Sequence, residues 1–175
     1  MDEPESQRAQ PAGPQDMLVR LYDLPDSATL VAGLRADGID VRRALAPEKH
    51  VVVAWVREHF GDGWASECEV SFARLPIACY RAQRGQVVLG FACYDSTAKG
   101  FFGPTGVLEQ ERKHGIGTAL LLLTLQAMAA EGYAYAIIGG AGPADFYANA
   151  VGAVPIAGST PGIYRKMLKG GRAPG

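Results

Sequence analysis

Apolar positions along this chain change their spacing from one stretch to the next, and the changes predict its elements. Met17 to Tyr22 is a β-prone run that reads as a first strand, closed off by Pro25. Asp26 or Ser27 can then cap a short helix carrying Leu30, Val31 and Leu34, which stops near Gly38. Pro47 suits the first position of a second helix that runs to about Phe60, ahead of Gly61. Within it Val51, Val52, Trp55, Val56 and Phe60 recur at the spacing of one buried face. Residues 62–75 fit either a strand or a short helix, with helix favoured. Ile77–Ala82 and Val87–Asp95 are β-rich runs around the turn Gln83-Arg84-Gly85-Gln86, a hairpin pattern.

Phe101–Leu108 reads as the next strand, but Gly103, Pro104 and Gly106 lie inside it. Pro104 has no N–H for a central ladder, so the strand is expected to be bulged or splayed. Gly117–Glu131 is a helix apolar on nearly every side and should be buried against a sheet. Tyr133–Ile138 is a strand. A glycine turn over 139–142 then leads into a short helix, with Pro143 at its start and Gly152 beyond its end. Val154–Ile156 and Ile163–Leu168 would supply two final strands, and 170–175 should fray. The first 16 residues, acidic and Pro-rich without periodicity, read as a disordered tail before one domain over 17–169. The class is α/β or α+β with a mixed sheet.

Composition narrows the function. Seventeen Lys and Arg against 18 Asp and Glu leave a net charge of −1, without the basic footprint of a nucleic-acid binder. The longest apolar stretch, Ala119–Ala130, is interrupted by Thr124 and Gln126 and falls short of the ~20 residues a membrane span needs. The N-terminal stretch has no apolar segment of signal-peptide type, so a cytoplasmic location is expected. Cys68, Cys79 and Cys93 form no CxxC pair, and they read as buried thiols in a reducing compartment rather than a metal site.

The chemistry-bearing segment is Glu109-Gln110-Glu111-Arg112-Lys113-His114-Gly115-Ile116-Gly117-Thr118, between a strand and the long helix. The first N–H groups of a helix have no intrahelical acceptor and sit at the positive end of its dipole. Glycines at 115 and 117 remove Cβ atoms that would hold an anion off the backbone, and Arg112, Lys113 and His114 add charge. A phosphate or pyrophosphate cradle follows, against the plainer reading of a solvated loop that starts a helix. A triphosphate P-loop (GxxxxGK[ST]) is absent, and a dinucleotide GxGxxG fails at Leu120.

Arg112-x-x-Gly115-x-Gly117 resembles the [QR]-x-x-G-x-[GA] signature of the Gcn5-related N-acetyltransferase superfamily. Its context over 77–168 resembles that family's core: a bulged strand, a buried helix, a strand, then Phe146-Tyr147 on a short helix. Residues 17–76 match the variable acceptor-side half more loosely. The resemblance implies a mostly antiparallel sheet of six to seven strands flanked by helices. The sheet would splay between the family's fourth and fifth strands, here 101–108 and 133–138. It implies acetyl-CoA as co-substrate, with the pyrophosphate held by Arg112, Lys113, His114, Gly115, Ile116, Gly117 and Thr118. The main chain around Val107 would pair with the pantetheine arm, and Tyr147 would protonate the departing thiolate; its plainer reading is a half-buried core aromatic.

No metal is implied, and a homodimer is expected only because family members are often dimers. An asparagine often found after the fifth strand has no counterpart in Gly139-Gly140-Ala141-Gly142-Pro143. Ala153 also replaces a frequent aromatic.

The implied activity is direct acetyl transfer to a primary amine of a small molecule. Glu109, Glu111, Asp95, Glu67 and Glu69 are carboxylates that could act as base; Glu109 is taken as the candidate, each being otherwise a solvated side chain. Trp55, Phe60, Trp64 and Tyr94 could line an acceptor pocket or simply fill the core. A non-catalytic acyl-CoA sensor of the same fold, and a phosphometabolite binder outside the superfamily, are the rival readings.

Overall fold

The computed structural model describes residues 13–170. Most of the expected tail lies outside them, but residues 13–16 do not continue it. Asp16 is buried: its carboxylate accepts the Gly140 N–H at 2.8 Å, and its own N–H donates to Ser159 Oγ at 2.8 Å. The segment is ordered because it joins the turn after residue 138 to the last loop.

Its elements are β1 (Met17–Arg20), α1 (Ala28–Ala36), β2 (Ile39–Arg43), α2 (Lys49–Phe60), α3 (Asp62–Ser71), β3 (Cys79–Arg84), β4 (Val87–Tyr94), β5 (Phe101–Val107), α4 (Ile116–Ala130), β6 (Tyr135–Ile138), α5 (Ala144–Val151) and β7 (Val154–Pro155). They form one mixed, mostly antiparallel sheet of seven strands in the order β2-β3-β4-β5-β6-β1-β7. Helices cover both faces. Under α4, Leu120, Leu125 and Met128 pack with Val19, Leu89 and Ala136; under α2 and α3, Val52, Val56 and Ala65 pack with Phe91 and Cys93. Phe91 and Cys93 thus face one layer while Ala92 and Tyr94 face the other, the period of two that a doubly covered strand requires. Among the described residues no helix is long and apolar enough to cross a membrane.

Several expectations are refined. The first strand ends at Arg20, and Leu21–Asp23 form a 3-10 turn. Strand β2 was not foreseen. Ile39 and Val41 are buried, but Asp40, Arg42 and Arg43 between them mask the pattern. Those charges have a purpose in the fold: Arg81 of β3, 1% exposed, meets Asp40 at 3.0 Å and Glu48 at 3.1 Å. Pro47 opens a 3-10 turn (Ala46–Glu48) ahead of α2. The hairpin turn is shorter than expected, since β3 runs to Arg84 and β4 resumes at Val87.

The bulge lies where Pro104 predicted it. Ala92 pairs with Thr105 and Tyr94 with Phe102, so Gly103 and Pro104 together oppose Cys93. Strand β5 is parallel to β6 only at Phe101↔Ile137 and Phe102↔Ile138; beyond that the two strands part.

The C-terminus departs most. Strand β7 has two residues, and Ile163–Leu168 is not a strand but begins in a 3-10 turn, Gly162–Tyr164. The N-terminal strand has taken the place: β1 pairs antiparallel with β6 on one side and β7 on the other. Among the described residues, 163–168 join no strand of the sheet.

Candidate active site

The turn before α4 is built as the sequence suggests. Lys113 and Gly115 both adopt left-handed backbone, at φ 69° and 85°. The first ladder bond runs from Ala119 N–H to Gly115 C=O at 2.9 Å, so the N–H groups of Ile116, Gly117 and Thr118 precede the ladder. Arg112, Lys113 and His114 are exposed around them, whereas the Ile116 side chain is buried, leaving only its main chain to the turn. A Cβ at Gly117 would stand 3.7 Å from Val107 Cγ2 and 3.9 Å from Phe146 Cζ, so this glycine keeps open a groove between β5 and α5. These features fit a diphosphate. Glu111, in the same turn, is held by Arg84 at 2.9 and 3.3 Å, and that pairing keeps its carboxyl below the usual range. Arg112 Nε donates to the Val107 carbonyl at 3.3 Å, tying the turn to the end of β5.

Tyr147, next to Phe146 on α5, lines a cleft of about 770 Å³ where β5 and β6 part. One wall is Phe102–Thr105 and the other Ile138–Pro143, with Tyr147 between them. From α3 come Trp64 and Glu67, and from the β4–β5 loop Ser96 and Thr97. Ile163, Tyr164 and Met167 close the remaining side. Sequence reading did not place these last three here, because a strand over 163–168 would have carried them into the sheet.

Tyr147 is 6% exposed, its ring edge-on to Phe102 and Phe146 with centroids 6.3 and 5.1 Å away. Among the described residues its hydroxyl has no hydrogen-bond partner, and burial pushes its pKa up to about 12. Of the five carboxylates singled out in the sequence, only Glu67 lines the cleft, where it accepts a hydrogen bond from the Thr97 hydroxyl. Glu109 is exposed on a 3-10 turn outside the cleft lining. Glu69 pairs with Lys49 at 3.1 Å, and Glu111 is engaged by Arg84. Asp95 is bound by Arg74 at 2.8 Å, the Tyr133 hydroxyl at 2.9 Å and the Gly100 N–H at 2.7 Å. Such a carboxylate braces the β4–β5 loop and is not free to take a proton from a substrate.

The aromatic candidates separate as well. Trp64 lines the cleft; Phe60 stacks on Trp64 and covers Gly106, where any Cβ would fall 2.5 Å from the Phe60 ring. Trp55 packs behind them against Phe91. Tyr94 is fully buried, its pKa pushed up to about 12 chiefly by burial, and it is bonded to Arg43 and Glu131, away from the cleft. The three cysteines are buried free thiols, as the sequence suggested. The fold brings their sulfurs within 4.8 Å of one another, which the sequence spacing does not announce.

A seven-stranded mixed sheet that parts beside a glycine-rich helix start is an α/β architecture that known structures share. The chain has the fold of the GCN5-related N-acetyltransferases. A fungal GCN5-related glucosamine N-acetyltransferase region, part of a multi-domain GH3 β-N-acetylglucosaminidase, superposes with a TM-score of 0.68 at 15% identity; the match covers 85% of this chain and 20% of that one. A GCN5-related N-acetyltransferase from Sphaerobacter thermophilus gives 0.57 at 20% identity, over 82% of this chain and 49% of the other. One from Kribbella flavida gives 0.55 at 20%, over 83% and 55%. This chain therefore spans from one fifth to about half of those proteins. No family sequence model matches the chain, and no curated protein does.

Proposed function

We propose that this chain transfers an acetyl group from acetyl-CoA to a primary amine of a small molecule, by direct transfer in a ternary complex. The observation that supports it is a juxtaposition: the N–H groups of residues 116–118 precede the α4 ladder beside Val107 and Phe146, and the next residue, Tyr147, lines the cleft with a hydroxyl that has no partner among the described residues. Residues Arg112 to Thr118 would hold the pyrophosphate, and the main chain around Val107 the pantetheine arm. Bound there, acetyl-CoA supplies a thioester carbonyl open to attack.

Tyr147 keeps its proton far above neutral pH and offers it into the cleft, which suits hydrogen bonding to a departing sulfur. Full transfer to a thiolate of pKa about 8.5 would be uphill by roughly 5 kcal/mol, so the hydroxyl acts by stabilising charge. Glu67 replaces Glu109 as the carboxylate that faces the amine, orienting it and accepting its proton. A reducing cytoplasm suits this reading, because three free thiols so close together would cross-link in an oxidising compartment.

Thiol release measured with acetyl-CoA and an amine panel, beside calorimetric binding, tests the proposal. Acetyl-CoA binding with turnover on at least one amine is expected. Tight binding without turnover on any amine would favour a sensor, and no binding would overturn the site itself.

A further inference from the structure

The acceptor side of the cleft carries more information than the fold does. Glu67 is the only charged side chain among its described lining residues: no Lys, Arg or His reaches it, and no second Asp or Glu. A cationic amine is attracted there, but an acceptor that also bears a carboxylate or phosphate finds no counter-charge. A polyamine or aminoglycoside would find one carboxylate for several ammonium groups.

Several of the donors in the cleft are already engaged by the protein. Thr97 donates to Glu67, Thr105 to the Phe91 carbonyl at 3.0 Å, and Ser96 to the Tyr94 carbonyl at 3.3 Å. On the opposite wall the Gly140 and Ala141 N–H groups are bonded to Asp16 and to the Gln15 carbonyl. Hydroxyl groups of a sugar entering this space would lose water and find few free partners beyond the Tyr147 hydroxyl and the Trp64 indole N–H, a costly exchange. What the wall does offer is apolar surface: Trp64 from α3, with Ile163 and Met167, 55% exposed each, from the C-terminal segment.

Building on the acetyltransferase reading, we infer that the acceptor is a monoamine on an apolar alkyl or arylalkyl body, its ammonium end at Glu67 and its body against Trp64, Ile163 and Met167. The C-terminal segment, which joins no strand of the sheet, acts as a specificity wall.

A steady-state comparison tests this on the full chain. The probes are a linear series from n-propylamine to n-hexylamine, 2-phenylethylamine, glucosamine, glycine and spermidine. The expected result is kcat/KM rising about 2–4-fold per added methylene. Preference for 2-phenylethylamine over glucosamine should be at least about 10-fold, although the lower amine pKa of the sugar favours it chemically. Met167→Ser and Ile163→Ser, at exposed positions where folding is insensitive, should flatten the methylene series while leaving acetyl-CoA affinity unchanged. Glu67→Gln should raise KM for every amine. If glucosamine or spermidine is preferred, or the series is flat in the unaltered protein, this inference is overturned while the transferase reading stands. Failure of every amine despite acetyl-CoA binding would overturn both.

Discussion

At the scale of single residues, Tyr147 joins a sequence feature to a chemical role. Its place on a short helix that starts after Pro143 was legible; its burial and its lack of a hydroxyl partner among the described residues were not. Removing the hydroxyl should slow kcat about 10²-fold while leaving acetyl-CoA affinity nearly intact, as steady-state kinetics and calorimetry of Tyr147→Phe will show. The pH profile gives a separate check. Because the pKa of Tyr147 is raised to about 12, its acid form persists through the whole working range. The rate should therefore climb between about pH 7 and pH 9 as an alkylamine of pKa about 10.4 loses its proton, without a falling limb from Tyr147. A descending limb near pH 9 that vanishes in Tyr147→Phe would contradict this.

At the scale of elements, the start of α4 was the most readable part of the chain, because helix ends follow local rules. Open N–H groups, glycines and adjacent cations are all sequence-near, and the structure assembles them without long-range help. Gly117 makes the point testable. Its backbone is not left-handed, and an added Cβ meets only ordinary contacts at 3.7 Å and beyond, so Gly117→Ala should fold with an almost unchanged melting temperature. It should nevertheless weaken acetyl-CoA at least about 10-fold by filling the groove, a loss that calorimetry will separate from instability.

Strand β2 is the opposite case. Its charges hid it, and they find their partners across the fold: Asp40 meets Arg81 of β3, and Arg43 donates to Tyr94 of β4. Arg81→Met removes the buried partner of Asp40 and Glu48 and leaves them only the half-exposed Arg42. It should cost about 2–3 kcal/mol in urea unfolding, less than for a fully enclosed pair because both carboxylates still touch water.

At the scale of the whole molecule, ligand binding and folding are linked. Acetyl-CoA at about 100 times its Kd should add about 2.7 kcal/mol to stability. For a domain of this size that is a rise in melting temperature of about 5–11 °C, readable by differential scanning fluorimetry. CoA lacking the acetyl group should give a similar rise, since the pyrophosphate cradle does not contact the acetyl end. An unrelated nucleoside diphosphate that shifts the transition equally would point to a phosphate binder of another kind.

The sequence alone determined whatever depends on neighbours along the chain. It set the helix periods, the hairpin, the bulge imposed by Pro104, and the glycine-rich start of the long helix. Each of these is a contest between local backbone preferences and the burial of one face. Tertiary structure decided what depends on which edges and side chains are already taken. Strand β1 pairs with both β6 and β7, and residues 163–168 join no strand of the sheet but supply a wall of the cleft. With Arg74, Arg84 and Lys49 on Asp95, Glu111 and Glu69, and Glu109 outside the lining, Glu67 is the one of the five candidate carboxylates that faces the cleft. Edge pairing and charge pairing are competitions between segments far apart in sequence, and only the folded chain settles them.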